Sequence, residues 1–384
     1  MSLPTLRLRV RVRGRHPWFY RKMIRRPAVP IPAGSAVLVV DREGRTVGTG
    51  FYNGRTDLAL RMICSDVVED PDRLLVARLE RAARLREEIL DLRARTNAWR
   101  VVHSEGDGFP GVVIDQLADV HVAIAHSLAM LERMEPLGLW FRARNPSGRL
   151  VLLQDEDAIS REGMGRLPRP RPIPVVVHEH GLEYEVEAGG GHKTGFFADQ
   201  RDNRLLARSL ARGRRVLDLC CYSGGFAMNA LAGGARSVRA VDLDEYAVAR
   251  AKANLARNRL RGEVEHGDAF DALRAVRRGD FDLVVLDPPK WVPNRAALED
   301  GLRRYRDLNR LALEKLRPGG ILITCSCSGS VSPRAFAGVL MDAAADAGVD
   351  ARILRMSGAA PDHPVALECP ETAYLKAAFL EVRS

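Results

Sequence analysis

Residues 214–226 read RRVLDLCCYSGGF, a short apolar run that ends in Asp218 and opens into a glycine-bearing turn. Four more runs of this kind follow: SVRAVDLD at 237–244, GEVEHGD at 262–268, FDLVVLDPP at 281–289 and GILITCSCS at 320–328. Segments with helical spacing separate them, such as EYAVARAKANLARNRL at 245–260 and RAALEDGLRRYRDLNRLALEKLR at 295–317. Strand-length apolar runs alternating with amphipathic helices imply a parallel sheet with both faces covered, so a doubly wound, Rossmann-like α/β domain is predicted. Ligands of such sheets sit beyond the carboxyl ends of the strands, near the point where strand order reverses.

The run ends indicate which ligand. The turn carrying Tyr222, Ser223, Gly224 and Gly225 does not make G-x-G-x-x-G, and G-x-x-x-x-G-K-[ST] occurs nowhere. A dinucleotide and a nucleoside triphosphate are both disfavoured. The second run ends in Asp242, 24 residues after Asp218, where a carboxylate can accept both hydroxyls of a ribose. The third ends in Asp268, placed to meet an exocyclic amine such as adenine N6. A ribose, an adenine and no phosphate grip together point to S-adenosylmethionine. Each acid alone reads equally well as a helix N-cap; one at each successive strand end carries the argument.

The fourth run ends in Asp287-Pro288-Pro289-Lys290-Trp291. Two prolines cannot donate to a ladder and hold a rigid turn. Alone they are a strand terminator; beside the acids they read as the substrate-base site of a nucleic-acid methyltransferase, with the target atom open. The fifth run brings Cys325 and Cys327. An exocyclic nitrogen needs no covalent help to be methylated, whereas C5 of a pyrimidine is a poor nucleophile. A thiolate adding to C6 pushes electron density onto C5, splitting one hard step into easier ones. The bland reading of a strand cysteine is a small buried hydrophobe. A metal held by Cys220, Cys221, Cys325 and Cys327 is disfavoured, because neither CC nor CxC is a usual zinc spacing and no His-x-x-x-His completes it. No metal is predicted.

Outside this domain the charge is uneven. The 384-residue chain carries a net +10, and nine of its first 26 residues are Arg or Lys with no acid among them. Residues 1–70 hold +7 of the total. There Leu6, Leu8, Val10 and Val12 alternate with Arg7, Arg9, Arg11 and Arg13, a period of two that predicts a strand with one apolar and one guanidinium face. Residues 1–70 are therefore read as a β-rich domain, and the basic face as a contact for RNA phosphates. From Pro71, residues Leu75, Leu79, Ala82, Leu85, Ile89 and Leu92 repeat with helical spacing, opening an α/β domain at 71–174. It ends in the proline-rich RLPRPRPIP at 166–174, a linker. VVVHEHGLEYEVEAGG at 175–190 then reads as a hairpin leading into the domain at 175–384.

With 46% hydrophobic residues, wholesale disorder is excluded. The longest uncharged stretch, residues 219–235, has 17 residues and four glycines, short of a membrane span. The opening MSLPTLRLRV lacks a secretory core, and six scattered cysteines suit a reducing cytoplasm.

These residues carry a resemblance. The sequence is similar to the PUA-domain family of large-subunit ribosomal RNA cytosine-C5 methyltransferases. Near the start stands Arg15-His16-Pro17-Trp18, and in the middle Glu105-Gly106-Asp107-Gly108-Phe109-Pro110-Gly111. Gly191-His192-Lys193-Thr194-Gly195-Phe196-Phe197 with Asp199-Gln200-Arg201 follows. The remaining pieces are Tyr222-Ser223-Gly224-Gly225-Phe226, Asp287-Pro288-Pro289-Lys290, Ser326-Cys327-Ser328, Asp362-His363-Pro364 and Tyr374-Leu375-Lys376. The resemblance implies a PUA RNA-binding barrel, an accessory domain and a methyltransferase domain acting on C5 of a cytosine in 23S-type rRNA. It assigns the nucleophile to Cys327, the cofactor border to Lys193, Gln200 and Arg201, and the cytosine edge to Asp287. Cys325 stands where relatives carry Phe or Ala, and Trp291 where Phe is usual; the latter offers an aromatic for a flipped base. A monomer or homodimer is expected. Two rivals remain open at this point: a guanine or adenine N-methyltransferase using the Asp-Pro-Pro turn, and a non-catalytic ribosome-assembly factor that binds RNA.

Overall fold

The computed structural model describes residues 3–191 and 193–384; His192 of the Gly-His-Lys motif lies outside the described residues. The chain divides into two compact units. One holds Met1–Val175, Glu187–Phe197 and Pro361–Thr372; the other holds Val176–Val186, Ala198–Ala360 and Ala373–Ser384.

The first unit begins with strands β1 (Thr5–Arg7), β2 (Trp18–Phe19), β3 (Ser35–Val40), β4 (Thr46–Tyr52) and β5 (Leu60–Cys64), in sheet order β1-β3-β4-β5-β2. The alternation read from the sequence appears as burial: Leu6 and Leu8 lie in the core with Val37, Val39 and Leu60, while Arg7, Arg9, Arg11 and Arg13 are exposed. The single strand expected over residues 6–13 is shorter, however. After β1 only an isolated Leu8–Ile24 bridge continues it. Beyond Leu8 the backbone meets loop groups, Arg9 N–H donating to the Met23 carbonyl and Val10 accepting from Arg42 N–H. The segment stays extended without a ladder.

The predicted helix starts as its sequence dictates. Asp70 caps Pro71–Arg84 by accepting from Arg73 N–H at 3.0 Å, proline occupies the first turn, and Leu75, Leu79 and Ala82 are buried. The periodicity expected to reach Leu92 breaks at residue 85. A π-turn over Leu85–Ile89 and a left-handed Asp91 rotate the register. Ile89 is thereby left 68% exposed, and Arg86 is fully buried in its place. Arg86 holds Asp107 through two bonds of 2.7 and 2.8 Å and donates to the Arg100 carbonyl at 2.8 Å. That pairing is what makes burial of a guanidinium tolerable.

Strands β6 (Ala98–His103), β7 (Val112–Leu117), β8 (Val120–Ala125) and β9 (Arg149–Gln154) form a sheet in chain order, antiparallel except for the parallel β8–β9 pair. Two of its histidines are buried uncharged. Burial, reinforced by Arg100, pulls the pKa of His103 down to about 2; burial and Arg144 pull His121 down to about 4. Their folded values lie below the unfolded one, so the unfolded chain binds more protons and stability falls as pH drops through 6.5. Between pH 7 and 5 the two histidines together are expected to cost about 3–4 kcal/mol, read by urea unfolding at both pH values. A flat profile would contradict their neutral burial.

The expected hairpin is present as β10 (Ile173–Glu179) and β11 (Leu182–Ala188). The second unit is built on a seven-stranded sheet. Its strands are β12 (Arg215–Leu219), β13 (Ser237–Asp242), β14 (Glu263–His266), β15 (Leu283–Leu286), β16 (Ile321–Ser326), β17 (Ala351–Ser357) and β18 (Lys376–Val382), ordered β14-β13-β12-β15-β16-β18-β17. β12 to β16 are mutually parallel, as a doubly wound sheet requires. β18 enters antiparallel between β16 and β17. Leu217, Leu219, Leu286, Leu308, Leu322 and Phe336 lie in its core. Chain order moves outward from β12 in both directions, so the switch point lies at the end of β12, at Asp218. Among the described residues, no helix is long and apolar enough to cross a membrane.

Candidate active site

At the switch point Asp218 is completely buried. One carboxylate oxygen accepts from Ala227 N–H at 2.9 Å, while Oδ1 has no hydrogen-bond partner. Burial, with Asp287 and Asp242 adding repulsion, raises its pKa well above the usual carboxylate range. The turn after β12 is strained: Cys220 (φ 59°), Tyr222 (φ 48°) and Gly224 (φ 83°) are all left-handed. Asp242 braces the left-handed Tyr222 by accepting its N–H at 2.7 Å. Gly224 is needed for a second reason, since a Cβ there would come within 3.2 Å of the Ala251 side chain. Ser223 is buried in this turn, and Gly225 opens the following helix, Gly225–Ala232.

The strand-end acids do gather. The Cys220 thiol is pushed up by burial and then by Asp242, Asp287, Asp218 and Asp268. Their local duties differ. Asp242 also accepts Asp244 N–H at 2.9 Å, so both its oxygens brace backbone. Asp268 serves as a helix N-cap, accepting Phe270 N–H at 2.8 Å and Asp271 N–H at 3.3 Å. Four carboxylates around one strained turn, one of them with an orphaned buried oxygen, suit a cationic ligand. S-adenosylmethionine, with its sulfonium and ammonium charges, fits that donor set.

Asp287, at the end of β15, accepts from Gln200 Nε2 at 3.1 Å, and Gln200 Oε1 accepts from Asn203 at 2.6 Å. Both ends of the Gln200 amide are thus used in orienting Asp287. Its neighbours are buried too: Arg201 is 1% exposed, and Asp199 accepts from the Tyr374 hydroxyl. Lys193 belongs to the first unit, where it is exposed with its ammonium 4.5 Å from the Phe197 ring.

Cys327 lies one residue beyond β16 and is half-buried, whereas Cys325 is fully buried. Burial, and then Asp287, push the Cys325 thiol well above its ordinary range, so it stays protonated and unreactive. The Ser328 hydroxyl accepts Val292 N–H at 3.1 Å and lies 3.2 Å from the Tyr305 hydroxyl. This ties the Pro288-Pro289-Lys290-Trp291 turn to the Ser-Cys-Ser turn. Pro288 is buried, and Pro289 and Lys290 are exposed. Trp291 packs 4.8 Å from Tyr305 with Arg304 4.6 Å from its ring, forming a wall of this corner.

One further residue enters the sequence reading only within Tyr374-Leu375-Lys376, with no role given to it. Lys376 opens β18 directly opposite Ser326 of β16. Only 2% exposed, it donates through Nζ to the carbonyls of Ser328 at 2.6 Å, the residue after Cys327, and of Tyr374 at 2.8 Å. Burial lowers its pKa to about 8, and the charge of Cys327 acts in the opposite direction. The sequence trace is a lone lysine heading the apolar KAAFL.

Among the described residues, the one His/Cys/carboxylate group tight enough for a metal ion is His16, Cys369 and Glu371, in the first unit. It does not include the four cysteines of the second unit. Trp18 N–H donates to His16 Nδ1 at 3.2 Å, and His16 Nε2 lies 3.2 Å from the Glu371 carboxylate.

Comparisons with known proteins bear on the family and the fold. Residues 169–377 match the family model described as S-adenosylmethionine-dependent methyltransferase, and residues 8–65 match a PUA-like domain. The chain is 38% identical over 374 residues to the ribosomal RNA large subunit methyltransferase I of Tolumonas auensis, covering 94% of each chain. It is 34% identical to that of Citrobacter koseri, again covering 94% of each. Among solved structures, a putative S-adenosylmethionine-dependent methyltransferase from Streptococcus mutans superposes with a TM-score of 0.80 at 20% identity, covering 99% of this chain and all of that one. A second structure with the same score and identity is titled as a putative methyltransferase complexed with S-adenosylhomocysteine. Fold, strand-end acids and relatives converge: the chain belongs to the S-adenosylmethionine-dependent methyltransferases with a PUA-like domain, in the family of the ribosomal RNA large subunit methyltransferase I proteins.

Proposed function

We propose that the chain methylates C5 of a cytosine in large-subunit ribosomal RNA, with Cys327 as the covalent nucleophile. The observation that carries this reading is a half-buried cysteine at the end of β16 next to the Ser328 carbonyl that a buried lysine holds, the charge of the cysteine acting on that lysine. The RNA substrate rests on the names of the relatives. Asp218, Asp242 and Asp268, with the Tyr222–Gly225 turn, would hold S-adenosylmethionine, and Gln200 and Arg201 would border it. When bound, the cofactor would supply an electrophilic methyl group on its sulfonium, the S–CH3 electron pair staying on sulfur as a neutral thioether leaves.

The chain's own residues do the rest. The Cys327 thiolate forms a bond to C6, and the electron pair of the C5–C6 bond moves onto C5. Asp287, held by Gln200, accepts a hydrogen bond from the cytosine edge and sets the ring over the thiolate. After C5 is methylated its proton is lost to water, the electron pair restores the double bond, and the C6–S bond breaks to return the thiolate. Pro288, Pro289, Lys290 and Trp291 frame the base. Arg7, Arg9, Arg11 and Arg13 hold RNA by its phosphates without reading sequence. Two of these are partly engaged, Arg9 donating to the Ile24 carbonyl at 3.0 Å and Arg11 lying 3.5 Å from Glu43.

An rRNA fragment carrying 5-fluorocytosine tests the chemistry. Fluorine cannot leave as a proton does, so the C5 route traps a denaturant-resistant protein–RNA adduct on the Cys327 peptide. Methyl transfer to ordinary RNA with no adduct on the fluorinated one would overturn the proposal and favour a base nitrogen.

A further inference from the structure

The first unit contains a cleft of about 580 Å³ whose walls include Arg15, Arg78, Arg81, Pro110, Val365 and Leu367. Three sequence motifs that the catalytic reading leaves unused meet there: Arg-His-Pro-Trp, Glu-Gly-Asp-Gly and the segment after Asp362-His363-Pro364.

The cleft is a built structure. Arg86 donates to the Asp362 carbonyl at 2.6 Å, Arg100 N–H donates to the Asp362 carboxylate at 2.8 Å, and His103 Nε2 meets the Thr372 carbonyl at 3.2 Å. These bonds lash down both ends of the 361–372 strap. Two motif glycines are required here: a Cβ on Gly106 would come within 2.1 Å of the Pro364 carbonyl, and Gly108 is left-handed at φ 78°. The middle of the strap stays open to solvent, with Val365 50% and Leu367 93% exposed.

Its charge is uncompensated. Arg78 is partly buried and donates only to the neutral carbonyls of Gly108 and Ile63. Arg15 and Arg81, both exposed, form no ion pair among the described residues. The lining acids are committed elsewhere: Asp107 to Arg86, and Glu105 to Trp18 Nε1 at 2.8 Å and Arg61 at 3.3 Å. That leaves Glu368 alone against three guanidiniums. Cations over exposed aliphatic side chains match a nucleotide, whose phosphate needs charge and whose base needs an apolar face.

We propose that this cleft binds a single-stranded segment of the RNA substrate, its phosphates at Arg15, Arg78 and Arg81 and a base against Val365 and Leu367. The proposal rests on the reading of RNA as substrate but not on the covalent chemistry. The test measures binding of the full chain to a fluorescein-labelled single-stranded rRNA fragment by anisotropy across a salt series. Arg15→Glu/Arg81→Glu alters only exposed side chains. It should weaken binding at least about tenfold at 0.1 M salt and shrink the slope of log K against log salt by about 1.4, two phosphate contacts' worth. Leu367→Ser should weaken binding severalfold with the slope unchanged. Wild-type affinity and slope in the double variant would overturn the proposal. So would a variant that loses binding of inorganic phosphate or AMP while keeping RNA, since the cleft would then be a small-anion site. Failure of the C5 reading shows separately, as absence of the fluorocytosine adduct.

Discussion

Cys327→Ala is expected to abolish methyl transfer, by a factor on the order of 10⁴–10⁶, the usual cost of deleting an enzyme's nucleophile. Cys325→Ala should retain most of the activity. The two thiols are two residues apart, yet their surroundings separate them. Cys325 is wholly buried, with Asp287 further disfavouring its thiolate. Cys327 stands past the end of β16, half-buried, with Lys376 holding the carbonyl of the next residue, Ser328. Incorporation of tritiated methyl into unmodified rRNA reads both variants. Calorimetric titration with S-adenosylmethionine should show the cofactor bound equally by wild type and Cys327→Ala, because the acids around Cys220 are untouched. If Cys325→Ala were the inactive variant and Cys327→Ala active, the assignment of the nucleophile would be reversed.

Much of this site is readable without coordinates because parallel sheets put function at strand ends. Asp218, Asp242, Asp268, Asp287 and Cys327 each close an apolar run, and the fold brings such ends to one edge. The basic face of residues 6–13 is similarly local: its period of two survives as burial of Leu6 and Leu8 even though the ladder stops at Arg7. What sequence could not give is anything set by insertion or by a break in period. β18 slips antiparallel between β16 and β17, so a residue 49 positions from Cys327 becomes its neighbour, and no spacing rule encodes that. The π-turn at Leu85–Ile89 exchanges an expected apolar contact for a buried Arg86. Helical periodicity is blind to that exchange, because it assumes 3.6 residues per turn throughout. The strap at 361–372 joins the first unit through bonds from Arg86, Arg100 and His103, partners more than 250 residues away.

Lys376→Met should slow alkylation of Cys327 by iodoacetamide at pH 7 by roughly 10- to 100-fold, since a cation beside a thiol lowers its pKa by about 1–3 units. A charge that stabilises the thiolate is in turn stabilised by it, and that reciprocity is visible in the upward pull of Cys327 on Lys376. The pH profile separates this role from a structural one. Burial lowers the Lys376 pKa to about 8, so the ammonium is present below that pH and is lost as pH rises through it. In the wild type the thiolate is therefore helped at neutral pH and left unaided in alkali. In the variant, reactivity should instead track an unassisted thiol, its alkylation midpoint moving up. Losing the bonds to the Ser328 and Tyr374 carbonyls will also lower thermal stability, but lower stability alone leaves the alkylation midpoint where it was. A variant that melts earlier yet alkylates with the wild-type pH profile would make Lys376 a strut for the Ser-Cys-Ser turn. A shifted midpoint makes it the group that keeps the nucleophile ionised.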